Sequence, residues 1–209
     1  MKLEPMRKSF YSLVRILHQY VSMTMLLLAL FFAATGLTLN HPDWLTGEPE
    51  VSDSQLTLPA SLLAQAVDHR PVNSSLILTF LNQHHPLQGR PSELEIYTDW
   101  NDGVLVEGEL SQAYQGPGYH ATVFADLTTG AVEINERDAG IVATLNDLHK
   151  GRYSGGVWSL VIDISAVLMI LFVVSGALLV LPNRRLGKKL LWFAAVGSVL
   201  TALLALTTR

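Results

Sequence analysis

The chain contains no cysteine in its 209 residues. That excludes disulfides, thiolate metal sites, cysteine-linked haem and iron–sulfur ligation. An exported part of such a chain must hold itself together through its core alone. Long stretches also lack charge. Residues 21–39 (VSMTMLLLALFFAATGLTL) and 190–206 (LLWFAAVGSVLTALLAL) carry none, and residues 157–181 carry only Asp163. A hydrocarbon core about 30 Å thick is crossed by roughly 20 apolar residues rising about 1.5 Å each. The runs at 21–39 and 157–181 meet that requirement. The run at 190–206 is shorter but is bounded by Lys188-Lys189 and Arg209. A cleaved signal peptide fits the first run poorly, because a signal h-region spans about 7–15 residues and no A-x-A-like site closes this one. Also missing are G-x-S-x-G, H-E-x-x-H and a phosphate loop, which disfavours a self-contained hydrolase.

What charge there is gives an orientation. The N-terminal segment holds Lys2, Arg7, Lys8 and Arg15 against Glu4, and the loop 183–189 holds Arg184, Arg185, Lys188 and Lys189 with no acid. The stretch between the first two runs carries 16 acidic residues against Arg70, Arg90, Arg137, Lys150 and Arg152, a net of −11 hidden within the whole-chain value of −4. Basic residues flanking helices stay in the cytoplasm. The expected protein is therefore membrane α-helical, with three transmembrane helices and an inserted extracytoplasmic α+β domain. The N terminus and the 183–189 loop face the cytoplasm of a bacterial inner membrane, and the insert faces the periplasm. Its expected divisions are 1–41 (cytoplasmic segment and first helix), 42–148 (linker and periplasmic domain), 149–182 (second helix) and 183–209 (loop and third helix). The lipid bilayer is one partner. Nucleic acid is not, since no basic stripe is present.

Within the insert, residues 42–59 read as a linker ending in a short extended piece at Gln55–Leu58. Residues 60–68 and 75–83 read as short helices, the second capped around Asn73-Ser74-Ser75. The period then changes to two. Glu93–Tyr97 and Val104–Gly108 flank the turn signal Asn101-Asp102-Gly103, and Tyr119–Ala125 and Ala131–Asn135 flank Asp126–Gly130, giving two hairpins.

Three of the seven histidines stand at membrane borders: His18 before the first run, His41 just after it and His149 before the second. His18 and His41 are about 35 Å apart along a helix and cannot share a small cofactor. His41 and His149 lie at one level. A b-type haem needs two neutral imidazoles on facing elements and an apolar slot, and no cysteine. Thr35, Gly36 and Thr38 are candidates for that slot. Ser175-Gly176 repeats the hydroxyl–glycine pair near the depth of His18. No further histidine lies near His18 on the later helices, so a haem there requires a partner subunit, a second copy of the chain in a homodimer, or a different ligand. Asp163 is costly inside hydrocarbon, and is a candidate to orient a ligating imidazole or carry a proton. The competing reading of these histidines is that an amphipathic ring is simply comfortable at an interface. His84-His85 and His120 read as surface residues, and His69-Arg70-Pro71 as a loop.

The segment Tyr119–Glu133, with its Asp126-Leu-Thr-Thr-Gly130 turn, resembles the PepSY pattern. Together with Leu145–Tyr153, Asp163, His18 and Thr35–His41, it makes the chain similar to the PepSY-associated transmembrane helix family over nearly its whole length. That resemblance implies a PepSY-like outer domain. It also implies a distant relation to larger siderophore-linked membrane reductases, in which further helices and histidines occur that this chain lacks. By that analogy the chain is a haem-b electron-transfer subunit, passing electrons from a quinone or cytoplasmic donor to a periplasmic acceptor such as a flavoprotein or ferric chelate. As an enzyme it is at most such a subunit of an oxidoreductase. The alternative the resemblance implies is a membrane-anchored PepSY binding or regulatory module without redox activity, docking a protein partner.

Overall fold

A computed structural model describes residues 3–44, 47–68 and 71–207. Lys2, His69, Arg70 and Arg209, used above for charge and loop assignments, lie outside the described residues. The chain divides into two compact units, one of residues 1–31 with 161–209 and the other of residues 32–160.

The first unit is helical. It contains most of α1 (Leu3–Asn40), most of α5 (Gly155–Val180) and α6 (Arg184–Thr207). Among the described residues these are the three helices long and apolar enough to cross a membrane, with mean hydropathies of 1.9, 2.6 and 2.1. At 24 residues α6 exceeds the apolar run that announced it, and it spans about 36 Å at 1.5 Å per residue. Its large side chains, Leu191, Trp192 and Phe193 among them, are exposed, as suits a helix facing lipid. Val14, Val21 and Met25 are the buried apolar positions of α1 in this unit. Their spacing of seven and four residues keeps one stripe inward. On α5 the buried positions are Ser165 and Ser175, small residues that let helix backbones approach closely in a bilayer.

The second unit is α+β. Among its described residues an antiparallel sheet runs in the order β1-β6-β5-β4-β2, with β3 also paired to β4. The strands are β1 (Glu50–Thr57), β2 (Arg90–Pro91), β3 (Glu95–Asn101), β4 (Val104–Gly116), β5 (Tyr119–Asp126) and β6 (Ala131–Asp138). Both expected hairpins form, β3–β4 and β5–β6. Alternation decides the faces. Leu110, Ala121, Val123, Ala125, Val132 and Ile134 point into the core, where α2 (Ala60–Val67) and α3 (Ser74–His84) bring Ala66, Ile77 and Leu81. The opposite face stays open to solvent, as antiparallel sheets permit.

Two elements differ from the sequence expectation. The linker 42–59 contains a full edge strand: β1 pairs with β6 from Glu50↔Asp138 to Thr57↔Ala131, well beyond Gln55–Leu58. A helix, α4 (Gly140–Lys150), precedes the second membrane segment, so His149 sits in the last turn of α4. Gly151 closes it in the left-handed conformation, φ 69°, with Arg152 N–H donating to Asp147 O at 2.9 Å. The unit boundary also falls inside α1 and α5 rather than at 42 and 148. The reason is bonding: Thr38 donates to Asn146 Oδ1 at 2.6 Å and Trp158 Nε1 donates to Leu148 O at 2.7 Å, tying the end of α1 and the start of α5 to α4.

Candidate functional site

Each unit holds one histidine in a pocket made by a hydroxyl–glycine pair. In the second unit Thr35 Oγ1 lies 2.6 Å from Nδ1 of His149. Thr35 is 4% exposed. A Cβ placed on Gly36 would meet Cε1 of His149 at 3.6 Å, and Phe32 sets its ring edge-on to the imidazole at 5.1 Å and 72°. In the helical unit Ser175 Oγ lies 2.9 Å from Nδ1 of His18. A Cβ on Gly176 would reach Cε1 of His18 at 3.2 Å, and Phe172 stacks on the ring at 4.8 Å with the planes 16° apart. The two seats share one local sequence, Phe32-Ala-Ala-Thr35-Gly36 and Phe172-Val-Val-Ser175-Gly176. One turn of helix explains it: residues i and i+3 share a face, so the phenyl ring and the hydroxyl reach the same imidazole while glycine leaves room for its edge.

Thr35, Gly36 and His149 are therefore brought together as the sequence suggests, with one change. The notch at Gly36 seats the imidazole itself rather than a macrocycle. His18, for which no histidine partner could be found, is held by Ser175. His41 stands apart from His149 in its contacts. Its ring lies flat on Trp44, centroids 3.8 Å apart and planes within 5°, and its Nε2 is 3.3 Å from the amide nitrogen of Asn40. Asp163 is exposed on α5, and among the described residues its carboxylate makes no hydrogen bond. The imidazole-holding part expected of it is played by Thr35 at His149 and by Ser175 at His18. The phenylalanines were missed by sequence reasoning, although the repeated Phe-x-x-Ser/Thr-Gly was there to be read.

The donor set can be tested against a bis-histidine haem. A ligating imidazole offers one ring nitrogen as a lone pair and engages the other with a neighbouring polar group. His149 meets this, with Nδ1 engaged by Thr35 and Nε2 left over. His41 does not meet it as it stands, because the Nε2 lone pair accepts from the Asn40 amide and the ring lies on Trp44. Among the described residues no three His, Asp or Glu side chains converge as a metal site. Of the two histidines, His149 presents that arrangement as it stands, and His41 would do so only with its ring turned away from Trp44 and Asn40.

The α+β unit has a second polar cluster. His85, expected at the surface, bonds through Nε2 to Glu136 Oε1 at 2.5 Å, and the Tyr119 hydroxyl donates to Glu136 Oε2 at 2.5 Å. Burial first, then the bond to Glu136, pushes the Tyr119 phenol up to about 12. The Tyr119 hydroxyl, and after it His85, holds Glu136 below the usual carboxylate range despite its partial burial. In the β5–β6 turn Asp126 accepts from the hydroxyls of Thr128 and Thr129 at 2.6 and 2.7 Å and from their amides, which lowers it to about 2. His84 bonds to Phe80 O at 2.9 Å on the exposed side of α3.

The chain matches the putative PepSY_TM-like family over residues 12–208. No curated protein and no solved structure matches it significantly.

Proposed function

The chain belongs to the putative PepSY_TM-like family of membrane proteins, and from that premise we propose that it is a haem-b electron-transfer subunit. It lies in a bacterial inner membrane with its PepSY-like domain in the periplasm. Electrons pass from a quinone or cytoplasmic donor to a periplasmic acceptor, a flavoprotein or a ferric chelate. The observation that carries this reading is the imidazole of His149, seated against Gly36 with Nδ1 on Thr35 and Nε2 unengaged. His149 and His41 would hold the haem iron. A bound haem b supplies a one-electron couple at the membrane boundary. Thr35 orients the His149 ring, and Phe32 excludes water from its side. His41 must leave Trp44 and Asn40 to ligate. Stacking of that kind and one long hydrogen bond cost about 1–2 kcal/mol together, little against a metal–nitrogen bond. The test is the reduced-minus-oxidised spectrum of the purified full-length chain, with haem quantified per chain. Stoichiometric b-type haem supports the reading, and a haem-free chain from haem-replete cells overturns it.

A second reading, a membrane-anchored PepSY module without redox activity, is favoured by the open sheet face. There Asp53, Glu133, Glu109, Glu95 and Asp99 stand with exposed Tyr97 and Phe124, a surface whose charge suits a cationic protein. The same spectrum separates the two.

A further inference from the structure

We infer that Ser175 and Thr35 are positioning residues that fix the tautomer of two imidazoles, and that α1 and α5 exchange this service reciprocally. α1 carries His18 and supplies Thr35 to His149. α5 carries Ser175, which receives His18, and is preceded by His149 on α4.

The tautomer follows from counting protons. A serine hydroxyl has one donor and two acceptor lone pairs. The Ser175 hydroxyl donates to the carbonyl of Phe172, one turn earlier, at 3.0 Å. We assign its proton to that carbonyl, which can only accept, and the 2.9 Å contact with His18 then runs from Nδ1–H to Oγ. Ser175 is 2% exposed, so its hydroxyl has little competition from solvent. His18 is therefore protonated at Nδ1 and keeps its lone pair on Nε2. Thr35 stands 3.4 Å from the carbonyl of Phe32 and 2.6 Å from Nδ1 of His149, and the same direction is assigned to its ring contact by analogy with Ser175. Phenylalanine and hydroxyl recur three residues apart because that spacing puts both on one helix face beside the imidazole. Phenyl ring, carbonyl, hydroxyl and glycine notch form one cradle, written twice. Leucine or valine at the hydroxyl position would fill the space and leave Nδ1–H without an acceptor.

The tautomers rest on the hydrogen bonds of the chain itself. Only the use of Nε2 of His149 for ligation rests on the haem reading. The experiment uses the full-length chain with nitrogen-15-labelled histidine in nanodiscs, at a pH where the imidazoles are neutral. Two-bond proton–nitrogen correlations identify the protonated ring nitrogen of each histidine. The expected result is Nδ1–H for both His18 and His149, against the Nε2–H form that solvated imidazoles favour. Ser175→Ala should release His18 to Nε2–H and leave His149 unchanged. Thr35→Val should do the reverse, so each variant carries its own control for folding. Ser175→Thr and Thr35→Ser should restore the original pattern. An Nε2–H signal for either histidine in the unmodified chain, or a His18 pattern indifferent to Ser175→Ala, overturns the inference. In haem-loaded protein, Thr35→Val should shift the midpoint potential with haem content retained, and Thr35→Ser should return it. An unmoved potential ends the ligation part, whereas absence of haem from the unmodified chain ends the functional reading and leaves the tautomer result standing.

Discussion

Ser175 Oγ lies 2.9 Å from Nδ1 of His18, a residue 157 positions earlier. Thr35 stands to His149 in the same relation, 114 positions apart and at 2.6 Å. Each pair joins elements distant in sequence through a side-chain polar contact, so each reports on how the chain is assembled.

The glycines of the two cradles differ in tolerance. Gly176→Ala places a methyl 3.2 Å from the His18 ring, tighter than ordinary contact, whereas Gly36→Ala meets His149 at an ordinary 3.6 Å. Overpacking of this kind costs about 1–3 kcal/mol. Thermal unfolding in detergent should therefore show Gly176→Ala clearly destabilised and Gly36→Ala near the parent. The reverse order would mean that the His18 ring yields easily.

The Tyr119–Glu136–His85 cluster makes the outer domain pH-sensitive at both ends. Glu136 is lowered, so its contribution is present above the unfolded carboxylate pKa of about 4.3 and is lost as pH falls through the folded value. Tyr119 is raised to about 12, so its contribution is present below the unfolded phenol value of about 10 and is lost as pH rises toward the folded one. Glu136→Gln should flatten the acid limb of a melting-temperature profile, and Tyr119→Phe the alkaline limb. Profiles identical to the parent in both variants would show that the cluster does not report on stability.

Asp126 serves the β5–β6 turn by accepting from Thr128 and Thr129. Asp126→Ala should destabilise the outer domain by about 1–2 kcal/mol. Because its folded value is about 2, the wild-type advantage persists at neutral pH and disappears as pH falls through that value. A deficit unchanged between pH 7 and pH 2 would point to backbone strain instead of the carboxylate.

Asp163 and Thr35 can be told apart. The sequence alone makes Asp163 the natural support for a ligating imidazole, while the structure puts Thr35 on His149. Asp163→Asn should leave the His149 nitrogen pattern and any haem potential in place, and Thr35→Val should change both. An Asp163→Asn effect as large as that of Thr35→Val would return Asp163 to the site.

Orientation is checked by reporter fusions at Gly116 in the α+β unit and Gly187 in the basic start of α6, which should report opposite compartments. Equal signals would contradict the three-span arrangement.

The three long helices were legible from their uncharged runs, although α1 and α6 begin well before those runs, and α2, α3 and both hairpins because their apolar periods are clean. β1 was only partly legible. Glu50–Ser54 is polar and lacks an inward row, so it becomes a strand through its pairing with β6, some 80 residues away. α4 was hidden because Ala139 gives no side-chain cap; the Gly140 amide finds Asp138 Oδ1 at 2.8 Å instead. At the site, the hydroxyl–glycine pairs were visible but were taken for space around a flat cofactor. A partner for His18 was sought among histidines, although the one nearby polar group able to hold Nδ1 was a serine. Likewise His85 looked superficial because Glu136, its partner, lies 51 positions on.

The central claim is that His41 and His149 hold one haem b, and the measurement that bears on it most directly is quantitative haem spectroscopy of the full-length chain and its His41→Ala and His149→Ala variants, purified from haem-replete cells. The account predicts a low-spin b-type spectrum in the parent, lost or converted to high spin in each variant while the chain still inserts and its outer domain still unfolds cooperatively. Full low-spin haem in both variants, or none in the parent, would contradict it.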